Sequence, residues 1–242
     1  MCDIDELKQI EIEREGALAG LNPMFGEWRK DFNFEPVSYA NGGPARTEFK
    51  QQVRSELGTQ FVYTGHVSIT IVLYLEEQKV LETPTYGDLD NYAKSLLDSI
   101  KGAGTPLIDD CQIQHLDISW IDVPHTPRFE VVLRGNQDEF SLTPLKLFEM
   151  PDGLYYPVSS RCWTTDGPKE INDQDLSQLL DVIAIQTGSK RRLRHELRQE
   201  GIPQFRAFQY GKYVSPVLSG FHRTRVVDSG FELIPLRQWK DS

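Results

Sequence analysis

With 242 residues, 39% of them hydrophobic and 26% charged, the chain is long and apolar enough to bury a sizeable core, which excludes wholesale disorder. Its formal net charge of −10 excludes a uniformly basic nucleic-acid binder, yet from Lys190 to Lys240 eleven Lys and Arg face four Asp and Glu, leaving −17 on the remainder. That basic stretch either forms a binding face or neutralises the acidic part. No apolar run nears the roughly 20 residues that span a bilayer, and the acidic start MCDIDELKQIEIEREG is unlike a signal peptide, so no membrane association and a cytoplasmic location are expected. Cys2, Cys111 and Cys162 lack CxxC or CxxH spacing, and the five histidines lack an i, i+4 pair, which argues against a disulfide framework and a zinc site.

In chain order, Ile4, Leu7 and Leu18 share a helical face and predict a short helix over 4–21, ended by the breaker GLNPMFGEW. After Pro36, the Gly-Gly-Pro of VSYANGGPA disfavours regular structure. ARTEFKQQVRSEL then places Phe49, Val53 and Leu57 at helical spacing, with Arg46, Lys50 and Arg54 on an adjacent face. HVSITIVLYLEE alternates Val67, Ile69, Ile71 and Leu73 against Ser68, Thr70 and Val72, a β-branched strand. DNYAKSLLDSIKGAG spaces Ala93, Leu96, Leu97 and Ile100 as a helix, with Asp90 suited to its N-cap and Gly102 and Gly104 to its stop.

CQIQHLDISWIDV and RFEVVLRG predict two more strands around a PHTP turn, giving α+β patterning with a sheet of at least three strands. Past Gly135 the texture changes. PDGLYYPVSSRCWTTDGP is turn-rich, NDQDLSQLLDVIAI is helical through Leu176, Leu179, Leu180 and Ile183, and SKRRLRHELRQEG predicts a separate basic helix between Ser189 and Gly201. Two helices joined by QTGS invite a helix-turn-helix reading. A boundary is expected near 138–152.

The chemistry concentrates in two acidic knots, Asp88/Asp90 and Asp109/Asp110, joined by one predicted helix. In extended backbone, residues i and i+2 point to one side about 6.6 Å apart, so the Asp88 and Asp90 carboxylates can converge. Two carboxylates about 4 Å apart repel by roughly 4 kcal/mol at an effective dielectric near 20, which calls for a cation or a raised pKa. The chain returns through TPLIDD, where Asp110 can come back toward Asp88. Mg²⁺, which takes few carboxylates and leaves room for phosphate oxygens, fits such a set, and metal-assisted phosphodiester hydrolysis is the matching reaction. Lys94, one turn after Asp90, is placed either to stabilise charge on a phosphate or to form an i, i+4 ion pair with Asp90, continued by Asp98 and Lys101.

GDLDNYAKSLLDSI followed by LIDDCQI resembles the signature of the RusA family of Holliday junction resolvases: Asp-Leu-Asp-Asn, a lysine four after the second Asp, an apolar helix, then apolar-Asp-Asp-x-Gln-Val/Ile. The resemblance covers roughly residues 33 to 135. It implies a RusA-like domain over 33–138 with a small mixed sheet packed by helices, an N-terminal extension over 1–32, and a C-terminal α/β extension over 139–242. It implies Asp88, Asp90 and Asp110 as Mg²⁺ ligands and Lys94 as the catalytic lysine, with Asp109 in support. PVSYAN keeps Pro36, Ser38 and Asn41 of the family's opening loop with altered spacing.

The activity implied is paired cleavage of four-way junctions in DNA recombination and repair, by a homodimer presenting two identical sites. Candidates for phosphate contacts are Arg46, Lys50 and Arg54 on the first helix and Lys190, Arg191, Arg192, Arg194 and Arg198, each of which either meets DNA or belongs to a solvated helix face. Phe205, Phe208, Tyr210 and Tyr213 either stack on unpaired bases or form core. Two other readings stand beside the resolvase: a non-catalytic DNA-binding or partner-binding protein on the same scaffold, and a Mg²⁺-dependent nuclease for other branched DNA.

Overall fold

The computed structural model describes residues 20–22, 26–83, 88–136, 139–164, 167–214 and 220–240. The chain divides into two compact units, Met1–Thr143 and Pro144–Ser242, and the fold is mixed α+β with several small sheets. Among the described residues no helix is long and apolar enough to cross a membrane. The helix expected over 4–21 lies outside the described residues, apart from its last two positions.

In the first unit the elements run β1 (Leu21–Asn22), β2 (Glu27–Phe32), a 3-10 turn at Tyr39–Asn41, α1 (Gly43–Leu57), β3 (Phe61–Tyr63), β4 (Val67–Leu75) and α2 (Glu77–Glu82). Then come α3 (Leu89–Ser99), a second 3-10 turn at Asp110–Gln112, β5 (Ile113–Asp122), β6 (Arg128–Gly135) and β7 (Phe140–Leu142). Five strands form the main sheet in the order β1-β2-β6-β4-β5, while β3 pairs with β7. Strands β4 and β5 are parallel, so the chain must cross over between them, and α2 and α3 lie in that crossover. Both acidic knots therefore fall in the crossover, one at the start of α3 and one just before β5.

Alternation builds the core. Val67, Ile69, Ile71, Leu73 and Leu75 are buried while the residues between them are half-exposed. Register places Leu133, Val131 and Phe129 of β6 beside Ile69, Ile71 and Leu73, and Trp28 and Phe32 of β2 beside Leu133 and Phe129. Directly paired residues share a face, so these side chains make one apolar surface. Helix α1 lays Phe49, Val53 and Leu57 on it and α3 lays Tyr92, Ala93 and Leu96. Phe129 stacks on Phe32 at 4.5 Å and meets Phe49 at 5.7 Å between ring centroids. Each such side chain contributes about 1.5–3 kcal/mol by its burial. The opposite face is polar, with ion pairs Arg29–Glu130 and Arg134–Glu27.

Three expectations for this unit need correction. Residues 27–32, read as part of an N-terminal extension, are the strand that pairs with β6. EWRKDF shows only Trp28 and Phe32 on the buried side, with Lys30 between them, so its period of two is hidden. Gly43 and Pro44 do not interrupt structure but begin α1, because a proline in the first turn lacks an N–H that the helix does not use there. The N-cap of α3 is Asp88 rather than Asp90, which falls in the first turn.

The second unit pairs β8 (Leu145–Glu149) with β9 (Tyr155–Ser159) and with β12 (Glu232–Ile234), and β10 (Arg161–Thr164) with β11 (Gly167–Glu170). The stretch expected to be turn-rich thus supplies three short strands. Its helices are α4 (Asp173–Gln199), α5 (Gln204–Val214), α6 (Arg223–Val226) and α7 (Leu236–Lys240). Phe148, Met150, Tyr156, Val158, Leu180, Ile183 and Ile234 form the core. Helix α4 runs unbroken through QTGS, contrary to the two helices expected there. One glycine in a helix interior costs only about 1 kcal/mol, and Leu180, Ile183 and Thr187 keep one buried phase up to Gly188. The break comes later, at Gly201 (φ 79°), where Ile202 N donates to Leu197 O at 2.9 Å and Pro203 follows.

Candidate active site

Asp88 and Asp90 are exposed at the N-terminus of α3, where unpaired N–H groups and the helix dipole favour negative charge. Asn91 Nδ2 donates to Asp88 Oδ2 at 3.4 Å. The extended segment expected before Asp88 falls on 84–87, outside the described residues. Among the described residues no ion pair joins Asp90 to Lys94, although their spacing allows one.

Lys94 is directed elsewhere. Its ammonium lies 3.8 Å from the centroid of the Tyr39 ring, and the Arg46 guanidinium of α1 lies 3.9 Å from the same ring. Tyr39 is set there by its turn, in which buried Ser38 accepts from Ala40 N at 3.3 Å and Asn41 N donates to Ser38 O at 3.0 Å. A hydrogen bond from Arg46 and the positive charges of Lys94 and Arg46 hold the Tyr39 phenol below its ordinary pKa. Two cations from two helices thus converge on one aromatic ring, one turn of α3 away from the carboxylate pair. Paired cations of this kind can bind anionic oxygen. Tyr39 was not picked out from sequence, since nothing local marks a tyrosine whose partners lie on other elements.

The second acidic knot is held by Gln112, only 1% exposed. Its Nε2 donates to Tyr63 O at 2.7 Å and Gly65 O at 2.9 Å, and its Oε1 accepts from Ile108 N at 2.8 Å and Asp109 N at 3.1 Å. Buried Asp109 accepts from Cys111 N at 3.1 Å and completes a capping box with Gln112. Asp109 therefore has a structural role in this turn. The Asp-x-x-Gln spacing is the sequence signal that could have revealed this tie.

Asp110, half-exposed, follows directly. Lys101 Nζ is 2.7 Å from its Oδ2 and 2.9 Å from Asp98 Oδ1. Burial disfavours the Lys101 charge, but the hydrogen bonds and charges of Asp110 and Asp98 outweigh it and raise its pKa above the ordinary value. The Asp98–Lys101 pair is the one expected from spacing. Among the described residues no group of three or more His, Cys, Asp or Glu is placed to hold a metal ion. Asp88, Asp90 and Asp110 are oxygen donors of the kind a hard divalent ion takes, but the structure does not gather the three as expected from sequence, and Lys101 stands as the cation beside Asp110.

The basic residues separate into displayed and engaged ones. Arg54 was read as a DNA contact, but its Nη2 donates to Lys101 O and burial lowers its pKa, so it ties α1 to the end of α3 instead. Lys50 is exposed on α1, its pKa lowered by partial burial and by Arg54. In the second unit Arg192 and Arg198 are exposed, Arg191 donates to Asp152 O at 3.2 Å, and Lys190 and Arg194 are half-buried. That unit also holds an open cavity of about 850 Å³ between α4 and its sheet, lined by Phe148, Leu180 and Trp239, and it contains none of the predicted site residues.

Compared with known protein families, residues 21–134, a little under half of the chain, match the family described as Endodeoxyribonuclease RusA. The match takes in β1 to β6 with both acidic knots, and begins before residue 33. No curated protein matches the chain significantly.

Proposed function

From the membership of residues 21–134 in the RusA endodeoxyribonuclease family, we propose that this protein is a metal-dependent endonuclease that resolves four-way DNA junctions. The observation that supports the reading most is the convergence of Lys94 and Arg46 on Tyr39, with Lys94 one helical turn after Asp90. It supports a site in which Lys94 and Arg46 meet phosphate close to the carboxylate of Asp90. Asp88 and Asp90 would hold Mg²⁺, joined by Asp110 once that carboxylate exchanges Lys101 for the metal. The ion supplies positive charge to a phosphodiester and lowers the pKa of bound water. Lys94 and Arg46 bind the non-bridging phosphate oxygens and offset the charge that develops on them, and Tyr39 fixes both cations in place. Lys50, Arg192 and Arg198 contribute phosphate contacts, which position DNA without reading its sequence.

A homodimer is proposed as well, since two identical sites suit paired cuts. Its support is strand β5. Register sets Leu116, Ile118 and Trp120 beside Ile69, Ile71 and Leu73, so they continue the apolar face of the sheet to its edge. Leu116 there is exposed and the other two are half-buried. A second copy covering this edge would bury it.

A second reading, a junction-binding protein without cleavage, is favoured by the Lys101–Asp110 ion pair, which fills one proposed ligand with an internal cation. Asp88→Asn separates the two. In the nuclease this variant binds a synthetic four-way junction as the parent does, in a native gel, and no longer cuts it. Full cleavage by Asp88→Asn would refute the assignment, and binding without cutting by the parent would favour the second reading.

A further inference from the structure

The helix pair α4–α5 of the second unit presents a combination that its core does not use. Residues 190–214 carry seven Lys and Arg (Lys190, Arg191, Arg192, Arg194, Arg198, Arg206 and Lys212) against Glu196 and Glu200, in a chain whose net charge is −10. From Gly201 to Val214 there is no acidic residue. Helix α5 turns Ala207, fully buried, and Gly211 toward α4. A Cβ at Gly211 would stand 3.1 Å from Arg194 Cγ and 3.5 Å from Lys190 Cγ. The aliphatic stems of Lys190 and Arg194, one turn apart on α4, therefore lie against α5, which sets two cationic residues beside it. Glycine at 211 permits this close approach.

Elsewhere on α5 three aromatic side chains face solvent: Phe205 is 62% exposed, Phe208 39% and Tyr210 53%. Phe205 and Phe208, three residues apart, share one side of the helix. The Arg206 guanidinium lies 6.0 Å from the Phe205 ring centroid. Dense aromatics ordinarily form core, but these three do not. Exposed aromatic rings flanked by cations and free of nearby carboxylates on their own helix suit a polyanion that offers its own flat apolar faces. Duplex DNA hides those faces inside its stack, whereas unpaired nucleotides display them.

We propose that α5, with Lys190 and Arg194 of α4, is a docking surface for single-stranded nucleic acid, in which Phe205, Phe208 and Tyr210 stack on unpaired bases while the cations meet phosphates. This deepens the nuclease reading by giving the second unit a ligand class. It stands apart from that reading experimentally, because it is tested by binding and not by cleavage.

The test is equilibrium binding of a fluorescently labelled oligothymidylate and of a matched blunt duplex to the full chain by anisotropy, across a salt series. The protein is expected to prefer the single strand. Phe205→Ala/Phe208→Ala should weaken single-strand binding at least about tenfold and leave the salt slope unchanged. Lys190→Gln/Arg194→Gln should lower the slope of log K against log salt by about 1.4, as two phosphate contacts on a single strand require. Phe205→Trp provides a second readout, since its exposed indole should be quenched on adding the oligonucleotide. Unchanged single-strand affinity in the Phe205→Ala/Phe208→Ala variant would overturn the proposal. So would equal affinity for duplex, or tighter binding of polyglutamate than of oligothymidylate, which would mark a protein-docking face. Binding is measured in EDTA, where metal-dependent cleavage does not occur, so failure of the catalytic reading leaves this result untouched.

Discussion

Replacing Gln112 should destabilise the first unit more than any surface change near the site. Its amide makes four hydrogen bonds in a buried setting, joining the backbone of Ile108 and Asp109 to that of Tyr63 and Gly65. Leaving a buried polar group unsatisfied costs about 1–3 kcal/mol, and four groups lose a partner together. Even with relaxation and entry of water, Gln112→Ala should cost about 3–5 kcal/mol, a large part of a domain's usual total of roughly 5–15 kcal/mol. Gln112→Leu separates packing from hydrogen bonding, since it restores apolar volume but none of the four bonds. Urea unfolding followed by circular dichroism measures both variants. Both variants should shift the midpoint substantially, with Gln112→Leu recovering less than half of the loss. A cost below about 1 kcal/mol for either variant would refute it.

Three further outcomes are expected. In a spectrophotometric titration, Tyr39 should ionise below the ordinary tyrosine value of about 10, and Arg46→Gln should move that step upward. Because this phenol has its pKa depressed on folding, its contribution to stability is present above the unfolded value and is lost as pH falls through the folded one, so Tyr39→Phe should leave stability at neutral pH unaffected by that ionisation. Lys101→Met leaves Asp98 and Asp110 facing each other without their cation, so it should lower stability by about 1 kcal/mol in EDTA and show a larger Mg²⁺-induced rise in Tm than the parent. Leu116→Arg should convert the proposed homodimer to monomer in analytical ultracentrifugation; a dimer retained by this variant would place the interface away from β5.

How far the sequence revealed this protein depended on whether the signal was local. Strands β4, β5 and β6 and helices α1 and α3 were readable because their apolar residues recur at periods of two or 3.6. Strand β2 was not, because Lys30 sits between Trp28 and Phe32 on its buried side. The three-residue β12 was lost because it is too short to show alternation and pairs in parallel with the distant β8. QTGS suggested a break in α4 because glycine usually marks one, but the packing of Leu180, Ile183 and Thr187 outweighs the propensity of Gly188.

The candidate site divides in the same way. The Asp88, Asp90 and Lys94 spacing and the Asp109–Asp110 pair lie in one stretch of sequence and could be read from it. The ion pair of Asp110 with Lys101, the diversion of Arg54 to Lys101 O, and the place of Tyr39 between Lys94 and Arg46 depend on tertiary packing. Phe205, Phe208 and Tyr210 show the limit most clearly. Their density suggested core, and only the fold puts them at the surface.

Metal-dependent cutting of branched DNA, proposed for the carboxylates around α3, is decided by incubating the protein with a synthetic mobile four-way junction, a matched linear duplex and a flap, each with Mg²⁺ and with EDTA, and resolving the strands on a denaturing gel. Paired, symmetric nicks are expected in the junction alone, lost in EDTA. Cutting that persists in EDTA, or no cutting by folded protein that still shifts the junction on a native gel, would contradict it.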